Sequence, residues 1–97
     1  MSAGYILAPR ARRDLNEIWD FIAKENIDAA DQVVGRIEAA LGDLVRVPHK
    51  GHLRPDLASR DYRFWRVYSY LIIYRPDTSP LQIVHIRHSS RRKPSLP

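Results

Sequence analysis

The sequence contains no cysteine, so it can form neither a disulfide bond nor a metal site with thiolate ligands. This absence fits the reducing cytoplasm, where we expect the protein to act. No apolar run is long enough to cross a bilayer. The first residues, Met1 to Tyr5, lack the basic and apolar regions of a signal peptide. We therefore expect no membrane association.

Several motifs of known chemistry are missing as well. There is no Gly-rich phosphate loop, and no serine lies in the Gly-x-Ser-x-Gly setting of a nucleophile elbow. The carboxylates fall mostly on two predicted helices, as on a solvated helix face, and no acid/base pair stands out. The histidines lack the helical two-histidine spacing of a hydrolytic zinc site, which favours solvated or target-contacting roles. They are His49, His52, His85 and His88. We expect no metal and no cofactor, and the sequence leans against an enzyme.

Negative charge is scarce in the second half of the chain. Up to Pro48 there are six Lys or Arg residues against eight Asp or Glu residues, a net charge of −2. From His49 onward there are ten against three, a net charge of +7. The second half is therefore a candidate surface for an acidic partner such as a nucleic acid or an acidic protein segment. A bias that only improves solubility is the alternative.

Three runs rich in β-branched and aromatic residues predict antiparallel strands at about Arg63–Val67, Tyr70–Arg75 and Leu81–Arg87. The prolines between the last two runs cannot donate to a ladder, so they belong in a connection. The middle run is apolar at every position from Tyr70 to Tyr74, which is typical of a strand flanked on both edges or covered on both faces. The short run Tyr5 to Leu7 is expected to add to this sheet.

Two stretches show apolar residues at helical spacing, from Arg10 to Lys24 and from about Ala29 to Val47. Asn26 is expected to end the first helix in the left-handed conformation, and Asp28 to cap the second. Gly35 and Gly42 interrupt the second stripe and would permit a close helix approach. The short connection makes the helices an antiparallel hairpin.

The predicted fold is therefore α+β with two layers, an N-terminal helical hairpin packed on an antiparallel sheet in the order β-α-α-β-β-β. Residues 1–97 form a single domain that ends in a basic, mobile tail at about 89–97. Strand alternation places Arg63 on one face with Val67, and Arg87 on one face with His85. Alternation alone does not decide which face is open.

Four stretches, in this order, resemble toxins of the RelE/ParE superfamily from bacterial type II toxin–antitoxin systems. They are Leu7 to Ile22, Leu44 to Gly51, Arg63 to Arg75 and Ile83 to His88. The resemblance covers nearly the whole chain and is closer to ParE, since the second helix is not lysine-rich. It implies the same β-α-α-β-β-β fold.

ParE-like members inhibit DNA gyrase without catalytic machinery, and this is the function that the resemblance favours. The target-binding residues would be Arg63, Arg87, His88, Arg91 and Arg92. RelE-like members instead cleave mRNA on the ribosome, and this alternative activity would use Arg63 and Arg87 as cations and His88 as acid/base.

Both activities imply a cognate ParD-like antitoxin in a hetero-oligomer, with a segment that folds on binding. Its candidate contacts are Leu15, Trp19 and Phe21. For Trp19 and Phe21 the competing interpretation is packing at the edge of the core, since aromatic residues most often bury against neighbours.

Overall fold

The computed structural model describes residues 4–89, and the structural statements below concern this part of the chain. The elements are β1 (Tyr5–Leu7), α1 (Pro9–Ala23), α2 (Ile27–Arg46), a short 3-10 helix (Pro48–Lys50), β2 (Arg63–Val67), β3 (Tyr70–Arg75) and β4 (Leu81–His88). The predicted order and the two-layer α+β fold are confirmed. Except for Ser89, the predicted tail lies outside the described residues. Within residues 4–89, no helix has both the length and the apolar character needed to cross a membrane.

The sheet has the order β1-β4-β3-β2. The three later strands pair antiparallel, as predicted, whereas β1 pairs parallel with β4. The sheet is therefore mixed, because the helical hairpin between β1 and the later strands acts as a crossover connection. The apolar strand β3 is flanked on both edges, which agrees with its sequence. A bulge on β4 opposite Ile73 and Tyr74 interrupts the regular pairing.

The turn between the helices differs from the prediction. Asn26 has φ −159° and is the N-cap of α2, with its side-chain oxygen accepting a hydrogen bond of 2.9 Å from the Ala29 N–H. Asp28 lies in the first turn instead, where its charge suits the helix dipole. The prediction of a left-handed Asn26 and an Asp28 cap was wrong, because a β-region Asn can satisfy an orphan N–H at the helix start.

The two glycines of α2 do not serve helix packing. A Cβ atom built at Gly35 or at Gly42 would meet no atom within 4 Å. The expected close helix approach at these positions is therefore absent. Both glycines weaken α2 without a compensating contact in the described chain.

The core lies between the helices and one face of the sheet. Its fully buried members include Ala11 from α1, Ile37, Leu41 and Leu44 from α2, and Ile72, Tyr74 and Ile83 from the sheet. Phe64 and Ile73 alternate with the core positions of their strands, so they face the other way. They are nevertheless 2% and 5% exposed. The face of the sheet away from the helices is thus only partly open.

Candidate functional site

Arg63 lies on the face of the sheet that the helices cover, because it pairs with the buried Tyr74. Its guanidinium donates to the Gly51 carbonyl at 2.8 Å. The Tyr74 hydroxyl accepts from the Gly51 N–H at 2.9 Å and donates to the Pro48 carbonyl at 2.6 Å. Burial raises the pKa of this hydroxyl despite the lowering effects of the Gly51 N–H and the Arg63 charge. Arg63 and Tyr74 therefore fix the turn that follows α2.

His88 lies on the same face as Arg63 but at the opposite end of the sheet. It pairs with Tyr70, and the two rings meet edge-on with centroids 5.2 Å apart. Tyr70 and Tyr74 are four residues apart on β3, a distance of about 13 Å along a strand. Arg63 and His88 therefore do not meet.

Arg87 lies on the opposite face of the sheet, where it pairs with Leu71. The sequence-based set of Arg63, Arg87 and His88 therefore does not share one surface, whether as a target-binding or as a nuclease constellation. The physical reason is the alternation of side chains along a strand, which separates neighbours such as Arg87 and His88. Arg91 and Arg92 lie outside the described residues.

Other arginines share the face of the sheet away from the helices. Arg66 pairs with Leu71, and Leu71 pairs with Arg87 on its other side. Their side chains therefore start from the same face, about 10 Å apart across two strand spacings. Arg75 shares this face, because it lies four residues after Leu71 on β3. We call Arg66, Arg75 and Arg87 the open-face arginines.

The three candidate antitoxin contacts have different surroundings. Leu15 is 8% exposed and belongs to the core, so its assignment to a binding surface is corrected. Trp19 is partly buried, and its indole N–H donates to the Asp31 carboxylate at 2.8 Å, which joins α1 to α2. Phe21 is 70% exposed. Ile27, at the start of α2, is 58% exposed and was not named from the sequence. Phe21 and Ile27, the two most exposed large apolar side chains of the described residues, thus both lie near the tip of the helical hairpin.

A buried carboxylate that the sequence reasoning missed joins α1 to β4. Asp14 is 7% exposed and accepts hydrogen bonds from the Ile86 N–H at 3.0 Å and from His85 Nδ1 at 2.5 Å. Arg10 Nε donates to its other oxygen at 3.1 Å. The signal was available, because Asp14 lies next to Leu15 on the apolar stripe that Ala11 and Ile18 define.

The charge state of Asp14 follows from these contacts. Burial raises the pKa of the Asp14 carboxyl, but the hydrogen bonds from His85, the Ile86 N–H and Arg10, together with the charge of His85, outweigh it. The net result is a pKa below the ordinary value of 3.8. Asp14 is therefore an ionised acceptor, and His85 donates its Nδ1 proton to it. No group of three or more metal-ligating side chains occurs within residues 4–89.

Comparison with known proteins identifies the family. Residues 5–93 match the family described as the ParE toxin of the type II toxin–antitoxin system parDE. The chain belongs to the ParE toxin family. This agrees with the resemblance seen in the sequence and with its closeness to ParE.

A solved structure supports the fold of this ParE toxin. It is described as the chromosomal ParDE TA system from P. aeruginosa, and the two chains superpose with a TM-score of 0.72. They share 21% sequence identity over 90% of this chain and 98% of the other. At this identity the likeness supports the fold alone. No match was found among curated proteins.

Proposed function

We propose that this ParE toxin arrests growth in the cytoplasm by binding DNA gyrase, and that a cognate ParD-like antitoxin neutralises it in a hetero-oligomer. The observation that carries the proposal is the family match over residues 5–93. The net charge of +7 from His49 onward supports it, because gyrase works on DNA and the antitoxin segment is expected to be acidic.

The gyrase contact is assigned to the open-face arginines. Arg66 and Arg75 are exposed and Arg87 is half-buried. The Nε of Arg66 donates to the Tyr68 carbonyl at 3.0 Å, and the Arg75 guanidinium lies 5.9 Å from the centroid of the Tyr62 ring. Within residues 4–89, none of the three takes part in an ion pair. Arginine is the residue best suited to planar or phosphate-like anions. This assignment replaces the set containing Arg63 and His88, while Arg91 and Arg92 follow β4 and remain part of the proposed contact.

A supercoiling assay tests the target. Purified toxin added to gyrase, ATP and relaxed plasmid should abolish supercoiling and accumulate cleaved plasmid. Undiminished supercoiling at excess toxin would reject gyrase as the target. The double variant Arg66→Glu/Arg87→Glu should need at least about tenfold more toxin for the same inhibition, because two reversed charges repel the partner. Arg12→Glu/Arg13→Glu on α1 is the control of equal charge change, since both arginines are exposed on another surface.

The antitoxin contact is assigned to the tip of the helical hairpin. Phe21 and Ile27 are exposed large apolar side chains, and a folded monomer gains nothing from exposing both. An amphipathic helix or extended segment of the antitoxin would cover them. Trp19 would border this contact, because only part of its ring is accessible.

Phe21→Asp tests this surface. It should weaken antitoxin binding by at least about tenfold, because a charge would be buried at an apolar contact, and leave the melting temperature of the toxin nearly unchanged. Isothermal titration calorimetry measures the affinity for the antitoxin, and circular dichroism measures the melting temperature. A larger loss of stability than of affinity would show that Phe21 serves the fold. Glu25→Ala, at an exposed position in the same turn, is the control.

The alternative of a ribosome-dependent mRNA endonuclease receives no support from the geometry. Its proposed acid/base His88 and cation Arg63 lie at opposite ends of one face, and Arg87 lies on the other. Such a reaction needs its acid/base and its phosphate-binding cations around one reacting phosphate.

A further inference from the structure

A groove of about 310 Å³ lies between α2 and β2, the edge strand of the sheet. Ala39 and Ala40 form part of its α2 wall, and their small side chains leave space against Trp65 and Val67 of β2. The volume is at the lower end of the range of about 300–1,000 Å³ that is typical of small-molecule sites. The groove is separate from the hairpin tip assigned to the antitoxin.

The groove is positively charged. Arg36, Lys50 and Arg66 line it, and no ion pair within residues 4–89 neutralises any of the three. The carboxylate among its lining residues, Asp43, is itself paired with Arg46. The side chain of Arg66 starts from the face of β2 opposite to Trp65 and Val67, and its Nε donates to the Tyr68 carbonyl at 3.0 Å, which holds its guanidinium beside the hairpin turn. An anion entering the groove would therefore meet Arg36 and Lys50 inside it and Arg66 at its edge.

Aromatic rings accompany these cations. Lys50 Nζ lies 4.7 Å from the centroid of the Trp65 ring, and His52 stacks on the same ring with centroids 5.9 Å apart. The guanidinium of Arg36 lies 5.7 Å from the centroid of the Tyr68 ring. Trp65 is thus well covered, whereas Tyr68 is 49% exposed at the end of the groove.

Tyr68 occupies a costly backbone position. Its φ of +54° lies in the left-handed region, where glycine is the ordinary residue in a two-residue hairpin turn. A bulky side chain held in this conformation points to a use for that side chain. What the structure offers is an exposed aromatic ring beside a row of cations.

We propose that this groove binds single-stranded nucleic acid, with backbone phosphates against Arg36, Lys50 and Arg66 and one base stacked on Tyr68. Sites for single strands combine a cationic groove with exposed aromatic rings in this way. Arg66 also belongs to the open-face arginines, and Arg87 lies about 10 Å further across the sheet. The cations therefore continue beyond the groove, which suits a polymer with a charge on every unit.

An acidic peptide is the competing occupant. It would satisfy the three cations, but it has no need of the exposed ring of Tyr68, and the strained backbone there would stay unexplained. The proposal does not rest on the gyrase assignment, since binding requires neither gyrase nor antitoxin.

Fluorescence anisotropy with the full chain and a fluorescein-labelled oligothymidylate tests whether the groove binds single-stranded nucleic acid. The logarithm of the binding constant should fall with the logarithm of salt concentration with a slope of about −2, as expected for three phosphate contacts to a single strand. Arg36→Ala and Lys50→Ala should each weaken binding about fivefold and reduce the slope by about 0.7. Arg13→Ala is the matched control, an exposed helical arginine outside the groove that should change affinity less than about twofold.

Two variants at position 68 separate stacking from charge and from folding. Tyr68→Phe keeps the ring and should bind like the unmodified chain. Tyr68→Gly removes the ring and relieves the backbone, so binding should fall about tenfold while the melting temperature is unchanged or higher. Unchanged binding of Tyr68→Gly would overturn the proposal.

Three further results would also overturn it. One is an absence of binding at low salt. Another is an equal loss of affinity in Arg13→Ala and Arg36→Ala, which would mean diffuse charge attraction. The last is displacement of the oligonucleotide by an oligoglutamate of equal charge, which would make the groove a site for acidic peptides.

Discussion

The two edges of the sheet in this ParE toxin differ in how their backbone hydrogen bonds are satisfied. Where β1 stops at Leu7, the free edge of β4 is closed by α1, because Asp14 accepts the Ile86 N–H. At the other side of the sheet, His52 closes the edge of β2 at Phe64 through two backbone hydrogen bonds of 2.8 Å. Two residues on, the outward N–H and C=O of Arg66 have no backbone partner within residues 4–89. The β4 edge is thus closed by a hydrogen bond to α1, whereas the β2 edge is unpaired at Arg66, beside the cationic groove. We call the closed part of the β4 edge the sealed edge.

This difference separates the part of the molecule that holds the fold from the part available to partners. An unpaired strand edge is a site where another chain can add, so folded proteins close edges that have no use. The contacts of Asp14 are buried and involve a charge, so removing this one partner should be strongly destabilising. The groove edge is lined by exposed residues whose replacement should affect binding more than folding.

The largest effect is expected at the sealed edge. Asp14→Ala removes the acceptor of the Ile86 N–H and of His85, and should lower the free energy of unfolding by about 3 kcal/mol, since bonds to a buried charge are lost and donors are left unpaired. Urea denaturation followed by circular dichroism measures it. Glu17→Ala, at an exposed position of the same helix, should change stability by less than about 0.5 kcal/mol. Equal effects of the two substitutions would contradict the claim that Asp14 stabilises the edge of β4.

A second large effect is expected where the β2 edge is closed. A Cβ atom at Gly51 would lie 3.0 Å from the Phe64 carbonyl oxygen and closer still to the Tyr74 hydroxyl. Gly51→Ala should therefore lower the free energy of unfolding by about 2 kcal/mol. Neither the Phe64 backbone nor the Tyr74 hydroxyl, which makes two hydrogen bonds, can move freely. Gly42→Ala, where a Cβ meets nothing, is the control. A neutral Gly51→Ala variant would mean that the turn can shift.

The pH dependence of stability sharpens the role of Asp14. Its pKa is lowered in the folded chain, so its contribution is present above the ordinary pKa of 3.8 and is lost as the pH falls through the folded value. The difference in unfolding free energy between the unmodified chain and Asp14→Asn should therefore be present above the ordinary pKa of 3.8 and shrink in stronger acid. Denaturant titrations across this range measure it. A difference that persists in acid would mean that the carboxylate charge is not what matters.

The sequence was sufficient for the elements but not for the surfaces. Hydrophobic periodicity predicted both helices and all four strands, because each buries one stripe or one face. Alternation along β4 already separated Arg87 from His88. It could not show that His88 and Arg63 lie at opposite ends of the sheet, since that depends on strand register. The stripe that contains Leu15 predicted burial, and the assignment of Leu15 to a partner contact ignored that signal.

Long-range polar contacts were beyond sequence reasoning. Asp14 stands on a buried stripe, which marks it as unusual, but its partner His85 is 71 residues away in the chain. Nothing in the local pattern selects His85 over His88 or His52. The groove was missed for the same reason, since Arg36 in α2, Lys50 in the 3-10 helix and Tyr68 in the turn after β2 are brought together only by packing.

The smallest effect is expected on the helix that forms one wall of the groove. Gly35→Ala in α2 should raise the free energy of unfolding by up to about 1 kcal/mol, because alanine is the better helix former and its Cβ meets nothing within 4 Å. Thermal and urea denaturation measure the gain. Gly4→Ala is the contrasting control, because Gly4 has φ +88° and its Cβ would lie 2.8 Å from Val45. The same substitution should therefore stabilise at one position and destabilise at the other. A loss of stability in Gly35→Ala would contradict the open surroundings of Gly35, and the contrast with Gly4 would fail.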